Sequence, residues 1–265
     1  MVKADVLDSN GKEKGKTDLP KVFSTDYRPD LIKRAVLASQ SNRRQKYGSD
    51  KMAGKKTSAH YEGLTNTDPS QKMMQRGMSR MPREHGDTAR FMRARFVPRA
   101  VGGRRAHPPK VEKNWSKKIN KKERLLALKS AIGGTSIKEL VQERNHIYNS
   151  NLPIVVEDSI QKMKKTKELL DFLNNLGLEK EISRTSRKKY KSGKGKLRRG
   201  KSKPRIGPLL VVGKDEGVSK KEKNIPGLEV VEANKINTET ISPGAHGIRL
   251  TIWTKSSLDI LSKMA

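Results

Sequence analysis

The sequence predicts an α/β fold: a three-layer α/β/α sandwich with a mostly parallel sheet, interrupted by a long extended internal basic loop and by a second basic insertion. Three observations lead there. Short aliphatic runs alternate with amphipathic helical stripes through the C-terminal half, the pattern of strands buried on both faces and covered by helices. Two stretches break this pattern, 42–113 and 183–205, and both are poor in aliphatic side chains. They also hold most of the charge: of a formal net +31, the first supplies 18 basic against 6 acidic residues and the second 12 basic and none acidic. The expected organisation is one globular body, 1–41 with 114–265, carrying 42–113 as a loop and 183–205 as an insertion.

The elements follow in order. Val2, Ala4 and Val6 alternate with Lys3 and Asp5 and predict a first strand. After Pro29, the residues Leu31, Ile32, Ala35 and Val36 recur at helical spacing, and this helix runs to about Ser41. From 42 to 113 the only Leu, Ile or Val residues are Leu64, Val97, Val101 and Val111, too few to offset the entropy of ordering such a segment alone. It is expected to be extended, to leave and re-enter the body at neighbouring points, and to turn near Met73 to Arg80. Helical grammar then returns. Asn120 with Glu123 reads as a capping box, Leu125, Leu128 and Ile132 as the apolar stripe, and Gly133-Gly134 as the stop. Ser136 with Glu139 opens the next helix. Leu152 to Val156 reads as a buried strand, and Leu169, Leu170, Phe172, Leu173 and Leu176 as a helix closed by Gly177. Pro208 to Val212 is a further strand, Ser219 with Glu222 caps a short helix, and Leu228 to Val231 and Arg249 to Trp253 are strands, the last followed by a helix from Ser256.

Composition excludes several classes of function. There is no cysteine, so no disulfide framework and no cysteine-based zinc site. The longest aliphatic runs, such as Leu209 to Val212, are far too short to span a bilayer, so no membrane association is expected. His60, His85, His107, His146 and His246 show no metal-ligand spacing, no Gly-x-Ser-x-Gly elbow is present, and Glu157-Asp158 adjoins a helix where it serves as a cap. Neither a catalytic residue, nor a metal, nor a cofactor is expected. Gly195 to Ser202 matches the phosphate-loop pattern letter for letter, yet no apolar strand precedes it and Pro204 stands where the helix must begin, so nucleotide binding is not expected.

The charge points to a polyanion, and its chemistry to RNA. Residues 73–109 hold nine arginines and no lysine: Arg76, Arg80, Arg83, Arg90, Arg93, Arg95, Arg99, Arg104 and Arg105. Guanidinium offers a planar fork for phosphate oxygens and a face that stacks on bases. Arg43, Arg44, Lys46, Lys55 and Lys56 extend the basic surface along the outgoing arm, and Tyr47, Tyr61, Phe91, Phe96 and His107 offer stacking rings. Six of the nine methionines lie in this loop: Met52, Met73, Met74, Met78, Met81 and Met92. The second insertion resembles a lysine block suited to phosphate contact, with Lys188, Lys189, Lys191, Lys194, Lys196, Arg198, Arg199 and Lys201.

Particular strings are also recognisable. Pro98-Arg99-Ala100-Val101-Gly102-Gly103-Arg104-Arg105-Ala106-His107-Pro108-Pro109 closely resembles the return arm of the internal loop in the universal ribosomal large-subunit protein four family, in its archaeal and eukaryotic form. Tyr47-Gly48-Ser49-Asp50, Pro243-Gly244-Ala245-His246 and Arg249-Leu250-Thr251 are similar to the same family, over essentially the whole chain, and the length is like that of the archaeal branch. The resemblance implies an α/β/α body on the outer face of the large ribosomal subunit and a loop threaded into ribosomal RNA. It further implies a loop tip, about 63–86 here, that forms the constriction of the nascent-peptide exit tunnel beside universal large-subunit protein twenty-two. Met73, Met74, Arg76, Met78 and Arg80 are then the tunnel-lining candidates, the nascent peptide is a transient partner, and the location is the cytoplasmic ribosome. Two other readings of the basic loops are an RNA-modifying enzyme that uses them as clamps, and a free RNA- or chromatin-binding module.

Overall fold

Three runs of β-branched and leucine residues form the centre of the structure, a computed structural model that describes residues 3–63, 72–74, 76–85, 89, 91–163 and 165–263. The chain divides into two units, 1–42 with 116–265, and 43–115. In the first unit β1 (Lys3–Leu7) and β2 (Glu13–Asp18) make an antiparallel hairpin, followed by α1 (Pro29–Asn42). After 43–115 come α2 (Lys121–Gly134), α3 (Lys138–Glu143), β3 (Ile154–Val156), α4 (Thr166–Asn175) and α5 (Glu179–Ser186). The two-residue strands β4 (Lys189–Tyr190) and β5 (Ser202–Lys203) pair apart from the main sheet. Then follow β6 (Leu209–Val212), α6 (Ser219–Glu222), β7 (Glu229–Glu232), α7 (Thr238–Ile241), β8 (Thr251–Thr254) and α8 (Lys255–Ser262).

The main sheet has the order β2-β1-β3-β8-β6-β7, parallel throughout except for the β1–β2 edge. Every residue of β3, β6 and β8 is buried, so both faces of the sheet are covered and the architecture is the α/β/α sandwich. Trp253 at the centre is fully buried and meets Phe23 edge to face at 5.4 Å. The hydrophobic pattern gives no sign of β2, because Glu-Lys-Gly-Lys-Thr-Asp is a charged edge strand whose side chains stay in solvent. Its pairing to β1, from Lys3 with Asp18 to Leu7 with Glu13, is what makes it a strand. Val2 lies outside the described residues.

The helices form where the apolar periodicity places them, but their faces and caps differ in detail. The buried face of α2 is Ala127, Ser130, Ala131 and Ile132, whereas Leu125 is exposed. Small residues face inward because α2 packs directly on α1 and on the turn before it. There the Ser130 hydroxyl donates to the Asp26 carbonyl at 2.8 Å and accepts the Arg28 N–H at 2.6 Å. The Asn120–Glu123 box does not form: Asn120 makes no side-chain cap bond, and Glu123 reaches across to Arg34 at 3.2 Å. Ser136 bonds back to the Gly133 carbonyl at 2.6 Å, and Ile137 stands before α3. At α6 the cap is Asp215, which accepts from the Gly217 and Ser219 N–H groups at 2.9 and 3.2 Å, while Glu222 accepts the Val230 N–H. In these cases a partner distant in sequence, or a nearby residue with better geometry, displaces the local pairing.

In the second unit, the described residues include no helix and no regular strand, only antiparallel bridges joining His60 to Arg83 and Arg83 to Ala94.

Candidate nucleic-acid interface

The outgoing and return arms of the long insertion lie against each other because two glycines permit it. A Cβ on Gly48 would stand 2.6 Å from Val111 Cγ2, and one on Gly54, whose φ is +77°, 2.6 Å from Arg104 Cα. The Ser49 N–H donates to the Pro109 carbonyl at 3.1 Å and fixes the register. The Tyr-Gly-Ser-Asp string therefore lies against Pro109 and Val111, and Gly54 against Gly103 and Arg104, as two sides of one structure. Close by, the Tyr47 and Trp115 rings stack at 5.9 Å with 20° between planes. The Arg44 guanidinium lies 4.0 Å from the Trp115 ring centre and the Lys113 ammonium 4.3 Å from it. A cleft of about 640 Å³ opens here, lined by Tyr47, Arg105, His107, Pro108, Pro109 and Trp115 among others. An aromatic platform with cations above it suits an unstacked base and its phosphate. Sequence alone does not single out Trp115, because it lies just past the basic stretch, in a string that otherwise reads as a chance glycosylation sequon.

The loop's cations separate into two sets. Arg43, Arg44, Lys46, Lys56, Arg76, Arg80, Arg93, Arg99, Arg104, Arg105 and His107 are exposed, and Lys55 is half-buried. Lys56 pairs with Asp50 at 2.6 Å, and this hydrogen bond holds the Asp50 carboxyl below its usual range. Arg83 and Arg95 instead turn inward. Arg83 donates to the Met92 carbonyl at 2.9 Å and the Ser79 carbonyl at 3.1 Å; Arg95 donates to the Val101 carbonyl at 3.1 Å and lies 3.5 Å from Glu84. These two guanidinium groups build the loop's own backbone. Arg90 lies outside the described residues, as do 64–71, 75 and 86 of the expected tip. Of the tip candidates, Met73 is buried, Met74 and Met78 are half-buried, and Arg76 and Arg80 are exposed.

The second insertion is a small hairpin, with β4 and β5 joined through a 3-10 turn at Gly193–Leu197. The phosphate-loop match falls on this turn and on β5, and no helix follows it. Lys188, Lys189, Lys194, Lys196, Arg198, Arg199 and Lys201 are exposed. Lys191 is not: its ammonium group donates to the carbonyls of Arg198, Arg199 and Gly200 at 3.3, 3.2 and 3.0 Å, spending its donors on the turn. At the root, Arg184 donates to Glu181 at 2.6 and 2.9 Å and to the Ile206 carbonyl at 2.8 Å, gripping the chain on both sides of the hairpin.

Glu181 is fully buried. Burial pushes its carboxyl up, but hydrogen bonds from Arg184, from His146 Nδ1 at 2.6 Å and from the Ile147 N–H outweigh this and hold it at about 2. Burial pushes His146 below its ordinary value, so it is neutral at pH 7. A neutral ring with its proton on Nδ1 also fits Nε2, which is buried without a hydrogen-bond partner and would strand an N–H there if charged.

The crevice at the carboxyl ends of β3, β6 and β8, where open α/β sheets take cofactors, is filled by the protein itself. Asp158 accepts from the Ser256 N–H at 3.0 Å and its hydroxyl at 2.6 Å, capping α8. Gln161 donates to Ser256 Oγ at 2.6 Å and accepts the Lys214 N–H at 3.2 Å. A Cβ on Gly213 would lie 2.3 Å from Ser256 Oγ, so the crevice is closed at its centre. One polar grouping has no signature in the sequence: His60, Glu62 and His85, the histidines more than twenty residues apart across the loop, bring one ligand atom each within 4.8 Å of the others.

Comparison with known proteins shows the family. The family model described as "Ribosomal protein L4/L1 family" matches residues 17–264. Large ribosomal subunit protein uL4 of Methanosphaera stadtmanae is 43% identical over the whole of this chain and 98% of its own length. The proteins of the same name from Archaeoglobus fulgidus and Methanococcoides burtonii are 43% and 42% identical, over 99% and 100% of this chain and 99% of their own lengths. These relatives are archaeal and are named as ribosomal proteins, not as enzymes. With a family match that spans both the sandwich and the basic loop, the chain belongs to the ribosomal protein L4/L1 family.

Proposed function

We propose that this protein is a structural constituent of the large ribosomal subunit in the cytoplasm, binding and organising large-subunit ribosomal RNA and performing no chemistry of its own. The observation that carries the reading is the surface of 43–115, where exposed arginines flank the stacked Tyr47 and Trp115 rings. Guanidinium groups on the two arms bridge phosphates of RNA helices that would otherwise repel one another, and the platform takes an unpaired base. The exposed lysines of the hairpin 183–205 fasten the body to the RNA surface. The tip, about 63–86, contributes to the constriction of the peptide exit tunnel beside the uL22-type protein, with Met73, Met74, Arg76, Met78 and Arg80 the tunnel-lining candidates, Arg76, Met78 and Arg80 nearest the lumen, and Arg76 and Arg80 exposed.

The test is a chain lacking 63–86 in place of the full-length one. It is expected to sediment with the large subunit at moderate salt while widening the tunnel in a map of the particle or slowing assembly. Normal subunits with an unchanged tunnel would sink the tunnel assignment. Release of the full-length protein from the subunit as salt rises only moderately would favour a free RNA-binding module instead.

A further inference from the structure

We propose that His60, Glu62 and His85 form a binding site for one divalent transition-metal ion of the zinc class, which pins the neck of the long loop. The backbone sets the three residues together. The His60 N–H donates to the Arg83 carbonyl at 3.2 Å and the Arg83 N–H to the His60 carbonyl at 3.0 Å, an antiparallel bridge between the two arms. Residues 60 and 62 share one face of an extended chain, and 85 lies on the same face diagonally across the bridge. The two imidazole centres are accordingly 4.3 Å apart.

The ring nitrogens are arranged as metal ligands require. His60 Nδ1 stands 2.8 Å from the Ser58 carbonyl and His85 Nε2 3.4 Å from the His60 carbonyl. A carbonyl beside one nitrogen calls for a proton there, which leaves the lone pair on His85 Nδ1, while His60 Nε2 becomes a ligand when the proton it shares with Glu62 Oε1 is released. That outer support is the usual companion of a metal-bound imidazole. His85 Nδ1 and Glu62 Oε2 are both buried with no hydrogen-bond partner, and Glu62 Oε1 meets His60 Nε2. Two orphaned acceptors in one cluster are costly without a cation and satisfied with one, and the ion would replace the proton that His60 Nε2 shares with Glu62 Oε1. Two imidazoles select zinc-class ions over magnesium or calcium, and a two-histidine, one-carboxylate set leaves the remaining positions to water. The ion would tie His60 to His85 across a segment poor in apolar residues, where little else offsets the entropy of closure.

The full-length chain, freed of metal by chelation and dialysis, is titrated with Zn²⁺ by calorimetry and with Co²⁺ by its visible d–d absorption. One site is expected, with affinity lowered about 10-fold or more in each of His60→Gln, Glu62→Gln and His85→Gln and unchanged in His246→Gln. Zn²⁺ is also expected to slow tryptic cleavage after Arg83 and Arg93 in the parent chain but not in the His85→Gln variant. The substitutions lie outside the sandwich core, so its far-ultraviolet dichroism serves as a folding control. Absence of a site in the parent chain, or a His60→Gln/His85→Gln double variant binding like the parent, would overturn the proposal.

Discussion

The side chain of Asn42 grips the backbone of Lys117 at both of its polar groups, accepting its N–H at 2.8 Å and donating to its carbonyl at 3.2 Å. The long basic insertion leaves the body at the first residue and returns at the second, so one amide closes its root. Arg184 does the same for the hairpin, joining Glu181 before it to Ile206 after it. Each cationic insertion is thus closed at its root by side-chain hydrogen bonds within the body.

Replacing Asn42 with Ala removes both bonds and is expected to cost about 1–2 kcal/mol, measured as a lower urea midpoint, with faster amide exchange at Lys117. Asn42→Asp keeps the acceptor and loses the donor, and should fall between the two. Unchanged exchange at Lys117 in the Ala variant would show that the root is held by something else.

Glu181 makes stability depend on acid. Its folded value of about 2 lies below the usual 4.5, so the unfolded chain binds the proton first as pH falls. The stabilisation is complete above 4.5 and is lost as pH drops through that value towards 2. His146, held below its ordinary value by burial, acts in the same direction at milder pH, since the unfolded chain takes up its proton first. In Glu181→Gln the loss between pH 4.5 and 2 should flatten, and stability at pH 7 should drop by about 3 kcal/mol because Arg184 loses its buried partner. Urea midpoints across that range measure both; a variant with the parent's acid limb would place the titration elsewhere.

The sandwich is legible because burial on both faces leaves a plain record in sequence: Leu209 to Val212 and Leu152 to Val156 are apolar wherever the strand is covered. The edge strand Glu13–Asp18 leaves none, since one neighbour and solvent ask nothing apolar of it. Capping patterns mislead where Glu123 and Glu222 find partners outside their own helices, Arg34 far upstream and the Val230 N–H downstream. The basic stretches are visible as charge, but charge alone does not separate Arg93 and Arg104, which face solvent, from Arg83, Arg95 and Lys191, which bond to carbonyls. Nor does spacing reveal His60 beside His85, because the bridge that joins them is made by backbone groups common to every residue.

That separation predicts two kinds of arginine variant. Changing Arg93, Arg99, Arg104 and Arg105 to Gln removes exposed charge, and the slope of log affinity for large-subunit ribosomal RNA against log salt should shrink by about 0.7–0.9 for each phosphate no longer neutralised. Arg83→Gln and Arg95→Gln should instead increase tryptic cleavage of the loop in the free protein, with a smaller change in slope. Equal slopes for both sets would dissolve the distinction.

The stacked pair tests base recognition apart from charge. Trp115→Ala removes an aromatic face without altering net charge, so it should weaken RNA binding by the about 1–3 kcal/mol that a stacked base contributes while leaving the salt slope unchanged. Trp115→Phe keeps a ring against Tyr47 and should recover much of the loss. Arg44→Gln removes the cation 4.0 Å from the same ring, and should lower affinity and slope together. If Trp115→Ala instead lowers the slope as Arg44→Gln does, the ring serves to position the cations around it, and the cleft lined by Tyr47 and His107 takes phosphate and not a base.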